Sequence, residues 1–61
     1  MREDYADLVE LAKICGRHSR EANTRGVAAE LWKLARDYQQ RAARLNGGTL
    51  PDIGEPPSVI D

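Results

Sequence analysis

The stretch Thr24–Asn46, TRGVAAELWKLARDYQQRAARLN, constrains the fold more than any other part of the chain. Ala28, Ala35 and Ala42 recur every seven residues, and Leu31, Tyr38 and Leu45 interleave with them in steps of three and four. Such spacing puts all six on one side of an α-helix, as an apolar seam lined with small side chains. Both ends are marked. Thr24 is suited to cap the amino end, and Asn46-Gly47-Gly48 to stop the carboxyl end, so the spacing predicts a helix over about 25–46.

A second period precedes it. Tyr5, Leu8, Ala12, Cys15, Ser19 and Ala22 also repeat in steps of three and four, which predicts a helix over about 3–22. Asp4 and Asp7 suit its positive end, Arg17 and Arg20 its negative end. Gly16 is either a weak point, costing about 1 kcal/mol relative to Ala, or a place where a neighbouring helix comes close. Asn23 is expected to end this helix in a left-handed conformation, with Thr24 capping the next. A connection this short makes the two helices antiparallel neighbours. Residues whose numbers sum to about 47 then face each other: Ser19 with Ala28, Ala12 with Ala35, Tyr5 with Ala42. Cys15 falls near Leu31 and Leu8 near Tyr38 at the levels between.

Size limits what such a hairpin can hide. A chain of 61 residues has a thin core, and its single Cys excludes an internal disulfide framework. Helix 1 is apolar over an arc of about 200°, from Ile14 through Leu11, Cys15 and Leu8 to Val9, and helix 2 over nearly as much. One partner helix covers about half of such an arc. The remainder predicts self-association, with a homodimer favoured and two hairpins pairing into a four-helix bundle. Leu8, Leu11, Ile14, Leu31, Trp32, Leu34 and Tyr38 are the expected interface residues. Trp32 is assigned to that interface because a seam built on alanines has no room for it.

Beyond residues 1–46, the domain of the hairpin, the character changes. The segment 47–61, GGTLPDIGEPPSVID, has three Pro and neither period, so it reads as an extended tail. Leu50, Ile53, Val59 and Ile60 are single apolar anchors along it. Three fates are open to the tail: disorder, a fold-back of Leu50 and Ile53 onto the hairpin, or docking on another protein.

The remaining chemistry is sparse. Nine Lys and Arg balance ten Asp and Glu, for a net charge of −1, so no overall field favours nucleic acid or an anionic membrane surface. No apolar run approaches a membrane span, and the charged start MREDYADL has no signal-peptide core. The chain reads as soluble and cytoplasmic, and its Arg- and Ala-rich composition as bacterial. Cys15 and His18, one helical turn apart, give only two soft ligands and no orienting third group, so neither a metal site nor a catalytic pair is assigned. No cofactor is implied, and the chain is not read as an enzyme. Arg17, Arg20 and Arg25 form the one local basic cluster, where contact with a phosphate or other anion is conceivable. A helix-turn-helix domain needs a third supporting helix that the pattern lacks.

The segments YADLVELAKICGRHS, VAAELWKLARDYQQRAARL and LPDIGEPP together resemble short uncharacterised helical-hairpin proteins of alphaproteobacteria. The resemblance covers most of the chain, and it implies a helical hairpin without implying an activity. The expected protein is therefore an all-α antiparallel hairpin with an extended tail, acting as a self-associating interaction or regulatory module. A small nucleic-acid-associated regulator using the Arg17–Arg25 end is the alternative.

Overall fold

A computed structural model describes residues 4–58. The expected start of helix 1 at residue 3 and the anchors Val59 and Ile60 lie outside the described residues. Two helices, α1 (Tyr5–Glu21) and α2 (Arg25–Leu45), pack against each other as a hairpin. Residues 49–57 follow without regular secondary structure.

Local chemistry explains each boundary. Helix α1 begins after Asp4, whose side chain accepts the Asp7 backbone N–H at 2.9 Å. Helix α2 begins after Thr24, whose hydroxyl accepts the Val27 N–H at 3.2 Å, as its sequence position implies. Caps of this kind are worth about 1 kcal/mol each because they satisfy amide donors that the first turn leaves without partners. The end of α2 also follows expectation. Gly47 turns to φ 67° and the Gly48 N–H reaches back to the Ala43 carbonyl at 2.7 Å, which is the Schellman closure. The turn between the helices is different from the expected one. No residue other than glycine has a positive φ among the described residues, so Asn23 is not left-handed. Instead Ala22 leaves α1 in an extended conformation (φ −66°, ψ 143°), its N–H bonded to the Ser19 carbonyl.

Small side chains make the seam. Ala12, Ser19, Ala28, Ala35 and Ala42 have no exposed surface at all, and Leu8 keeps 2%. Ala12 and Ala35 share one buried cluster, and a Cβ built on Gly16 would lie 3.4 Å from Cζ3 of Trp32. Both contacts fit the register in which facing residues sum to about 47. Ser19 sits in this dry contact without cost, since its hydroxyl donates to the Gly16 carbonyl at 2.6 Å. At the far level Ala42 is sealed, whereas Tyr5 keeps 38% of its surface exposed.

The Ala12–Ala35 level leaves no space for a larger side chain. Ala35→Leu is expected to lower stability by about 1–3 kcal/mol through overpacking, a large share of what so small a domain has. A thermal melt that coincides with that of the unaltered chain would show that the two alanines do not meet.

Candidate functional site

The three Cα extents, 33 × 23 × 13 Å, describe a slab with two broad faces. Helical phase sorts the side chains between those faces. Advancing about 100° per residue, Gly16 and Arg20 fall to one side of the α1 seam, and Cys15, Leu11 and Ile14 to the other. On α2, Trp32 and Gln39 lie to one side, and Leu31, Tyr38, Val27, Leu45 and Leu34 to the other.

The tail settles which face is which. Ile53 is 4% exposed and joins Ala12 and Ala35 in the buried cluster, with Trp32, Cys15 and Tyr38 packed around it. Gln39 Nε2 donates to the Pro51 carbonyl at 2.9 Å, and Arg20 Nη1 donates to the Glu55 carbonyl at 3.0 Å. A Cβ added at Gly16 would meet the Ile53 carbonyl oxygen at 3.3 Å. Gly16, Arg20, Trp32 and Gln39 belong to one face, while Cys15 and Tyr38 reach the buried cluster from the other side of the seam. Residues 51–55 thus run along the cleft between the helices, from the Leu45 end toward the interhelix turn. Gly54 is needed for two reasons. Its φ is 92°, a left-handed value, and a Cβ there would stand 3.0 Å from Arg20 Nη1. The Asp52 carboxylate accepts the Gly54 N–H at 3.0 Å, which holds the bend.

Of the tail anchors, Ile53 therefore folds back and Leu50 does not, being 56% exposed. Gly16 is the place of close approach, and the neighbour there is the tail backbone as well as the ring of Trp32. Trp32 itself is half-buried and packs within its own chain.

Among the described residues, no segment covers the opposite face. Ile14 is 37% exposed, Leu34 48%, Val27 53% and Leu45 57%, and half-buried Leu11, Leu31 and Tyr38 lie between them and the seam. Arg41 borders this face. It pairs with Asp37 at 3.2 Å and lies over the Tyr38 ring, 5.6 Å from its centroid. Both partners of that pair are well exposed, so it contributes at most about 0.5 kcal/mol.

The expected interface residues are consequently split. Ile14, Leu34, Leu11, Leu31 and Tyr38 fall on the open face, Trp32 falls beside the tail, and Leu8 is closed inside the hairpin with almost no surface to offer. The basic cluster is divided as well. Arg17 is exposed near the turn, while the Arg20 guanidinium is engaged by the tail. No sequence period announced that role for Arg20 or Gln39, because both contacts join a helix to an aperiodic segment.

The described residues show open depressions on the surface. A surface depression of about 640 Å³ runs beside Trp32, Leu34, Arg36 and Gln40, but it is lined by α2 alone. Among the described residues, no three His, Cys, Asp or Glu side chains form a group able to hold a metal ion. No described helix is long and apolar enough to cross a membrane. Comparisons with protein-family models, with curated proteins and with solved structures find no match to this chain.

Because Ile53 fills the cleft beside Trp32, Ile53→Ala is expected to cost roughly 2 kcal/mol or more and to shift Trp32 fluorescence to the red as water enters. Unchanged emission and an unchanged melting temperature would show that the tail does not lie against the ring.

Proposed function

We propose that the chain is a self-associating helical module. Its open face pairs with the same face of a second copy to make a four-helix bundle, and its role is to bind or regulate other proteins. The observation that carries this reading is the exposure of Ile14, Val27, Leu34 and Leu45 together on the one broad face that the tail leaves bare. Contiguous apolar surface of this kind is costly in water and is commonly an interface. A two-fold pairing also suits it, since the same patch serves both partners. The lone thiol of Cys15, half-buried and with no disulfide, is compatible with a reducing, cytoplasmic setting. Catalysis is not part of the reading, since Cys15 and His18, one helical turn apart, have no orienting third group in the sequence. The nucleic-acid alternative draws on Arg17, Arg20 and Arg25, but one N–H of the Arg20 guanidinium is spent on the Glu55 carbonyl of the tail.

Sedimentation or light scattering at micromolar concentration is expected to give twice the 6.8 kDa of one chain. Leu34→Asp should weaken association about thirtyfold or more, the loss of an interface anchor worth roughly 2 kcal/mol. It should leave the helices formed, because Leu34 is not in the hairpin seam. A folded 6.8 kDa particle from the unaltered chain would end the proposal.

A further inference from the structure

The tail face displays what the cleft between α1 and α2 accepts. We propose that this cleft is a docking site for an extended segment of a partner protein, and that residues 51–55 are its resident occupant. The contacts define the chemistry of that partner segment. Gln39 and Arg20 both donate to backbone carbonyls, at Pro51 and Glu55, so they read an extended main chain at a fixed spacing rather than particular side chains. Midway between them one aliphatic side chain, Ile53, enters the gap over Ala12 and Ala35. The next residue must be glycine, because Gly54 has φ 92° and a Cβ there would press on Arg20 at 3.0 Å. The partner thus presents an isolated aliphatic residue followed by glycine, with free carbonyls two residues to either side. Main-chain hydrogen bonds supply affinity and the single pocket supplies selectivity, as in other extended-peptide sites.

Exchange is built into the attachment. The occupant is held by the buried side chain of Ile53 and two side-chain donors, one of them exposed, and Pro57 just beyond it is buried as well. It is joined to α2 through Gly47 and Gly48, and Leu50 beside it makes no buried contact. A segment held without helix or strand pairing opens at lower cost than the helices it lies on. While closed, the tail competes at an effective concentration on the order of millimolar, so it acts as a built-in inhibitor that a partner with a better-fitting segment displaces.

The test uses the full chain carrying Ile53→Asp, which disables its own tail, and a synthetic peptide of residues 49–58 added in trans. The peptide is expected to bind saturably and return Trp32 emission toward that of the unaltered chain. Against the unaltered chain, whose tail competes, binding should be about tenfold weaker or worse. A peptide with the same Ile53→Asp change should not bind, and Arg20→Ala in the chain should weaken binding. Adding Leu34→Asp to the chain should leave the titration unchanged, since pairing through the open face is a separate matter. A helical Ile53→Asp chain that fails to bind the peptide overturns the proposal. So does a chain that loses its helix on that substitution, because Ile53 would then be an inseparable part of the core.

Discussion

Everything in this structure depends on how closely the two helices approach at Ala12 and Ala35. Each helix offers only a methyl group there, both fully buried in one cluster, so the backbones are free to approach closely. Close approach makes the contact specific, but it buries little apolar area per residue. The seam alone therefore leaves a two-helix unit short of stabilisation. Ile53 makes up part of the deficit. By entering the cleft it contributes burial worth roughly 2 kcal/mol, more than any alanine of the seam can.

The covering is one-sided for identifiable reasons. Gly16 removes the side chain that would keep a third segment away, and Gln39 and Arg20 offer donors at the cleft edges. Together these suit an extended chain whose carbonyls would otherwise have only water. The opposite side instead exposes the aliphatic side chains of Leu34, Val27 and Ile14, with a shallow depression beside Leu8, Arg41, Arg44 and Leu45 toward one end. One face thus holds an extended segment of the same chain, and the other exposes apolar side chains.

The hairpin was legible in the sequence because both of its determinants are local or periodic. Thr24 and the Asn46-Gly47-Gly48 stop act within a few residues of themselves, and Ala28, Ala35 and Ala42 repeat at the period of the helix. Asn23 misled because its tolerance of left-handed geometry is only a preference, and the chain turned at extended Ala22 instead. The tail contacts were not legible for a different reason. Arg20 and Glu55 are 35 residues apart and meet through a backbone carbonyl, which any residue but a differently placed one would supply equally well. Two faint signals did exist. Gly16 interrupts an otherwise good helix opposite the only Trp, and Ile53 directly precedes a glycine in a segment with few apolar residues. Trp32 looked too large for the seam, as it is; its ring lies beside the seam, against Gly16, in space that periodicity within either helix does not reveal.

The Schellman closure at Gly47 and Gly48 has a geometric consequence for anything joined to this chain. By reversing direction there, the backbone sends residues 51–55 back along the hairpin toward the interhelix turn, parallel to α1. Residue 4 therefore lies toward one pole of the slab, and residue 55, beside Arg20, toward the other. The seventeen residues of α1 separate those poles by about 25 Å. A polypeptide fused ahead of α1 and another fused after the tail would be joined to points that the hairpin, as a spacer, holds apart. Were the tail to lift from its cleft, pivoting at the two glycines, the second fusion would swing back to the pole of the first.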